Sequence, residues 1–295
     1  MTRRNALVTS SSSPTVLKRW IAFEMRRLRE RRGLSREEAA KAIRGSVSGI
    51  GHIEVGRTLP KPLELDKLLE LYGVPERSEF FQELRTRAKR GRDWWIGFDQ
   101  NTVPDYFELF LGMESCATRI ESWDALVVPG LFQTPEYAEE VVRGGEPELP
   151  DREVARRVEL RMARQHEVLD KEEPPAIWRV LHEGALRSVV GSRRVMRAQL
   201  QRLIELSEPR NIELQVLPFA AGAHAGSAGS FTILSFSPEL EGDPGAVYVD
   251  TRVKGYYYEE PDEIAVYRSA MTRLQVQALK PEESRGLIQK LLKEV

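Results

Sequence analysis

Apolar residues at Leu17, Ile21, Met25 and Leu28 recur at spacings of four, four and three, which lays one apolar stripe along a helix. Arg26, Arg27, Arg29, Arg31 and Arg32 are expected on its far side and at its end, where the helix dipole favours cations. Gly33 breaks the pattern. Ser35 and Glu38 have the S-x-x-E spacing of a capping box, with Leu34 as the staple residue. A second helix is therefore predicted over 36–43, burying Ala39, Ala40 and Ile43. Arg44 and Gly45 turn the chain, and Ser46 caps a third helix that ends near Gly56 and buries Val47, Ile50 and Ile53. Pro60 and Pro62 interrupt, and the leucines from Leu63 to Leu71 predict a fourth helix up to Gly73. A fifth, over about 76–89, carries Phe80, Phe81 and Leu84. Five short helices around one tight helix-turn-helix suffice to close a small core.

Beyond residue 90 the leucine-rich pattern stops. Residues 91–104 read as a boundary, yet Trp94, Trp95, Ile96 and Phe98 are too apolar for a free linker and are expected to dock on the second domain. Helices are predicted over 105–114 (Tyr106, Phe107, Phe110 and Met113 buried), from Thr134-Pro135, and over 151–169 with Val154, Val158, Met162 and Leu169 inward. Residues 116–128 alternate loosely and read as a continuation of the preceding helix that then turns extended. After Pro174-Pro175, four β-rich runs (176–181, 212–217, 230–236 and 246–249) are separated or followed by helices over 195–207, 261–279 and from Pro281. The predicted architecture is an all-α five-helix head over 15–90 followed by a larger α+β domain over 105–295, with a mixed or antiparallel sheet. Residues 1–14, with the polar run from Thr9 to Ser13, read as a disordered tail.

Charge sharpens this division. Residues 1–90 hold 20 Lys or Arg against 11 Asp or Glu, a net of +9, while residues 91–295 hold 24 against 34, a net of −10. The basic part suits a polyanion and the acidic part would be repelled by one. Cys116 is the single cysteine, which excludes an intramolecular disulfide and reads as a small hydrophobe. Residues 1–14 lack the apolar core of a secretion signal, and no apolar run approaches the length of a membrane span. The cytoplasm is the expected compartment, with no membrane partner.

The words Leu28-Arg29-Glu30-Arg31-Arg32-Gly33-Leu34-Ser35, Glu38-Ala39-Ala40 and Ile50-Gly51-His52-Ile53-Glu54-Val55-Gly56-Arg57, followed by Pro60, resemble the XRE, or phage-repressor-like, helix-turn-helix family over residues 17–73. The resemblance implies a regulator that binds double-stranded DNA, as a homodimer, with the third helix in the major groove. It also implies that Glu54 closes the third helix and pairs with Arg29. The positions facing bases depart from the family: Val47, Ser48, Gly49, Gly51 and His52 stand there. Of these, Ser48 and His52 offer hydrogen bonds to bases, and Val47 offers contact with a thymine methyl. Arg36, Lys41, Arg44, Arg57 and Lys61 flank the same helix and are the candidate phosphate contacts.

Further along, the dispersed words Val128-Pro129-Gly130-Leu131-Phe132-Gln133-Thr134, Glu183-Gly184-Ala185-Leu186-Arg187, Gln215-Val216-Leu217-Pro218 and Val247-Tyr248-Val249-Asp250 resemble the Scr1-family antitoxin-like domain of actinobacterial regulators. That resemblance implies transcriptional control, with a small acidic or neighbouring-gene protein as a further partner, and carries over no catalytic residue. The four histidines are scattered, and neither H-E-x-x-H, G-x-S-x-G nor a P-loop occurs, so no metal, cofactor or catalytic residue is expected. The glycine-rich loop 218–229 offers backbone N–H groups and His224. With Ser227, Tyr248, Asp250 and Tyr257 it makes a candidate ligand or partner site. The arginines at 156, 157, 161 and 164 read either as a surface for an acidic partner or as partners of Glu159 and Glu167. Two functions therefore stand side by side. One is a DNA-binding regulator whose second domain receives a small-molecule or protein signal; the other is an enzyme or protein-binding module whose head is a relic.

Overall fold

The computed structural model describes residues 13–237 and 243–295. Two compact units divide between Ile96 and Gly97.

The first unit holds five α-helices: α1 (Pro14–Arg31), α2 (Arg36–Ile43), α3 (Val47–Glu54), α4 (Pro62–Leu71) and α5 (Ser78–Arg90). The expected tail overlaps this unit by two residues, because Ser13 caps α1 and Pro14 opens it; the rest of that tail lies outside the described residues. Pro62 opens α4 instead of interrupting the chain, which fits a first-turn position whose N–H has no helical partner. The core gathers Leu17, Ile21, Met25, Leu28, Ala39, Ile50, Leu65, Leu68 and Phe81. At its centre Trp20, fully buried, lies 5.3 Å from the ring of Phe81 and 5.8 Å from that of Phe80. Ile43 is half-buried, and Val47, expected inside, is 42% exposed. The arginines of α1 do not all face outward: Arg29 is buried, and Arg27 donates from Nε to the buried Glu24 at 2.6 Å.

The stretch 91–104 does not dock as one piece. Asp93 accepts hydrogen bonds from Ser13 and, at 2.8 Å, from Thr15, which holds that end to α1. Phe98, in the second unit, lies under the Arg156 guanidinium at 5.1 Å, while Ile96 between them is 62% exposed.

The second unit contains α6 (Asp105–Cys116), β1 (Arg119–Asp124), α7 (Pro135–Gly145), α8 (Asp151–Leu169), β2 (Ala176–His182), α9 (Glu183–Arg187), α10 (Arg193–Leu206), β3 (Ile212–Leu217), β4 (Phe231–Ser235), β5 (Ala246–Asp250), β6 (Gly255–Tyr258), α11 (Pro261–Gln277) and α12 (Pro281–Glu294). The strands form one mixed sheet in the order β3-β2-β1-β4-β5-β6, with β1, β2 and β3 mutually parallel and β4, β5 and β6 joined by antiparallel pairs. β1 is the central strand that 116–128 concealed. Its residues alternate between two covered faces, so both sets are buried and no polar face marks it as a strand.

One face, carrying Trp123, Val180, Leu217, Phe231, Ile233 and Val247, packs on Ile264, Met271 and Leu274 of α11. On the other face α6 supplies Phe110, whose ring stacks 4.2 Å from that of Tyr248. The edge of β3 is closed by backbone and side chain together: Leu279 donates to the Val216 carbonyl at 2.9 Å, and the Val216 N–H donates to Ser284 Oγ at 2.9 Å. Such cover removes an open ladder of donors and acceptors.

Candidate functional site

The Ser35 and Glu38 capping box starts α2, and Arg44 ends it in the left-handed region at φ 55°. Gly45 follows, its N–H donating to the Ala40 carbonyl at 2.9 Å. Ser46 Oγ then accepts from the Gly49 N–H at 3.0 Å and begins α3. Two glycines cost a helix roughly 1 kcal/mol each relative to alanine, yet α3 runs unbroken through Gly49 and Gly51. Its buried side, Ile50 and Ile53, anchors it to the core. A side chain added at Gly51 would meet nothing within 4 Å, so this face of α3 is open.

The far end of α3 is fixed by charge. Arg29 donates to Glu54 from Nε at 2.5 Å and from Nη2 at 3.1 Å, and Arg36 donates to the same carboxylate at 2.8 Å. Burial alone would raise the Glu54 carboxyl, but the hydrogen bonds and charges of Arg29 and Arg36 outweigh it and hold the group below its ordinary value. Arg36 thus joins the clasp on Glu54 through its Nε, while its side chain stays 44% exposed. Lys41, Arg44, Arg57 and Lys61 are exposed, with Lys61 Nζ 3.2 Å from Glu64. Val47 and Ser48 are exposed and His52 is half-buried. The exposed residues around α3 are therefore small or apolar on the helix and cationic beside it.

In the second unit the five residues proposed as one ligand or partner site fall on opposite faces of the sheet. His224 sits with Trp123, their rings 5.0 Å apart, and His182 is 5.9 Å from each. Burial, followed by the neighbouring His224, lowers His182 below the usual histidine value. Trp123 Nε1 donates to the Gly226 carbonyl at 2.9 Å, fixing the loop, while Ser227 is exposed. Tyr248, one residue past Val247, points the other way. There its hydroxyl donates to Asp250 at 3.1 Å, and Tyr257 donates to the Tyr106 carbonyl at 2.6 Å. Period-two alternation along β5 is the sequence signal for this separation.

The α8 arginines divide as well. Arg156 pairs with Glu159 at 2.7 Å, Arg157 with Glu146, and Arg164 with the fully buried Glu114. Val158 and Met162, expected inward, are half-buried, and the buried set is Val154, Leu160 and Val168. Among the described residues, no group of three or more His, Cys, Asp or Glu side chains is arranged to hold a metal, and no helix is long and apolar enough to cross a membrane.

A family model described as Domain of unknown function (DUF5753) matches residues 107–290, more than half of the chain. The chain belongs to the DUF5753 family. Ahead of the DUF5753 region, a second model described as Helix-turn-helix domain matches residues 20–80, which supports a DNA-binding, regulatory role. Searches of curated proteins and of solved structures returned no match to this DUF5753 protein.

Proposed function

We propose that this protein is a sequence-specific transcriptional regulator of XRE type. It binds double-stranded DNA as a homodimer in the cytoplasm, and its DUF5753 domain, antitoxin-like in character, receives a small-molecule or protein signal. The observation that carries this reading is α3 itself. Its open face offers Val47, Ser48 and His52, its end is clasped by Arg29 and Arg36 on Glu54, and exposed Lys41, Arg44, Arg57 and Lys61 surround it. Side chains able to make a bidentate base contact are missing from α3, so phosphate contacts and the spacing of two half-sites about 34 Å apart carry much of the discrimination.

The test is fluorescence anisotropy on duplexes selected by the full-length protein from a random pool, across a salt series. Arg44→Ala and Arg57→Ala should each weaken binding to selected and unselected duplexes alike. Each should also make the slope of log affinity against log salt shallower by about 1, the signature of one lost phosphate contact. Wild-type affinity and slope in both variants would remove the proposed interface. Light scattering during size-exclusion chromatography reads the dimer directly.

A further inference from the structure

The face of the sheet that meets α6 and α8 changes character from one row to the next. By strand register Ile177, Ile120, Leu234 and Ala246 lie side by side, all apolar and buried. Two residues nearer the carboxyl end of β1 the neighbouring row reads Arg179, Ser122, Thr232, Tyr248 and Tyr257. A hydrophobic seam would be the stable choice under a helical layer, so five adjacent polar side chains there need a reason.

Part of the reason is internal. Arg179 Nη1 donates to Ser122 Oγ at 2.8 Å and lies 3.5 Å from Asp124. Arg164 is spent on Glu114. Arg161 is different. It donates to Gln133 Oε1 at 2.5 Å, a neutral acceptor that is itself buried and tied through Nε2 to the Val128 carbonyl at 2.6 Å. No carboxylate forms an ion pair with Arg161 among the described residues. A guanidinium has five N–H donors, so most of its capacity is unspent. Gly130 lies beside both guanidiniums: a Cβ there would crowd Arg164 Nη1 at 3.1 Å and stand in ordinary contact with Arg161 Nε at 3.7 Å. Desolvation, then the charges of Arg164 and Arg157, push the Arg161 guanidinium down to about 10, with Asp250 acting in the opposite sense.

The region is also reachable. Thr232 has strands on both sides and belongs to the helix-covered face, yet it is half-buried. Arg161 is half-buried, the Asp124 side chain is 14% exposed at the end of β1, and Asp250 is exposed at the end of β5. β5 runs in the same sense as β1, since two antiparallel pairings separate them. Partial exposure thus recurs at Thr232, Arg161, Asp124 and Asp250, around the carboxyl ends of two like-directed strands, where open α/β sheets bind ligands.

We propose that this cleft, with Thr232 on its floor, Arg161 on one wall and Asp250 on another, binds a small organic anion whose carboxylate or phosphate takes the Arg161 guanidinium. Planar paired donors suit either group. Asp250, already accepting from Tyr248, selects a hydroxyl or ammonium on the same ligand. That this ligand is the regulatory signal rests on the function proposed above; the binding itself does not.

The test uses the full chain, with inorganic phosphate and acetate as probes against chloride at matched ionic strength, read by thermal unfolding and calorimetry. At least one probe should bind saturably to wild type. Arg161→Gln should weaken that binding at least tenfold, whereas Arg44→Ala and Arg57→Ala should leave it unchanged. Thr232→Leu fills the floor without altering charge and should also weaken binding at least tenfold, which decides the matter if Arg161→Gln does not fold. Saturation by neither probe, or full binding by both cleft variants, overturns the site. DNA affinity is measured separately, so loss of the cleft leaves the DNA reading intact and failure of the Arg44 and Arg57 tests leaves the cleft intact.

Discussion

Arg29 in α1 and Glu54 at the end of α3 are joined by two hydrogen bonds, 2.5 Å and 3.1 Å long, across 25 residues of sequence. The pair ties the end of α3 to α1. Removing one member of a buried pair strands the other, at a cost of about 3–5 kcal/mol. Glu54→Gln should therefore destabilise the first unit by about that amount in urea unfolding.

The same carboxylate gives the pH response a sign. Glu54 is held below its ordinary value near 4.5 in the folded chain, so its contribution is complete above that value and is lost as pH falls through the lower, folded one. Unfolding free energy measured between pH 7 and pH 3 should fall less steeply in Glu54→Gln than in wild type. Parallel curves for the two proteins would contradict the assignment.

Arg44 occupies the left-handed region without being glycine, which costs roughly 1 kcal/mol. Arg44→Gly should raise stability by about that much in denaturant melts while still weakening DNA binding, because the strain is relieved and the cation removed. Arg44→Ala should weaken DNA binding similarly and give no stabilisation. This separation of the two readouts distinguishes a contact from a fold defect.

In the second unit, a Cβ at Gly226 would lie 2.3 Å from Trp123 Nε1, and the Gly226 carbonyl accepts that indole's proton. Neither the loop nor a fully buried indole has space to give. Gly226→Ala should cost about 2–3 kcal/mol, the upper range for overpacking, and should change tryptophan fluorescence in the folded state.

The head was legible because its information is local. Capping residues at Ser35 and Ser46, the turn at Arg44-Gly45 and stripes of period 3.6 each act within a few residues, and α2 falls at 36–43 as read. The sheet was legible in kind, as mixed or antiparallel, and four of its six strands fall on the runs read as β-rich; β1 and β6 do not. What escaped lies in long-range placement. Trp20 stands three residues after Leu17, on the same stripe, so its burial was within reach of the period, whereas β1 is buried on both faces and so shows no clear alternation. Arg161 and Arg164 looked like surface charge, because nothing near them in sequence reveals Glu114, 50 residues before Arg164, or the polar row on the sheet. His224 and Asp250 belong to one expected site of a loop and the strand residues beside it, whereas the pleat sends them to opposite sides.

The seal on β3 has a consequence for anyone shortening this chain. Leu279 and Ser284 occupy the donor and acceptor of Val216 that an incoming strand would otherwise use. Deleting residues 279–295 would turn that flank into a template on which further copies stack, and light scattering would rise with time and concentration even where circular dichroism still reports folded chains. Any truncation or fusion therefore needs the last helix kept whole.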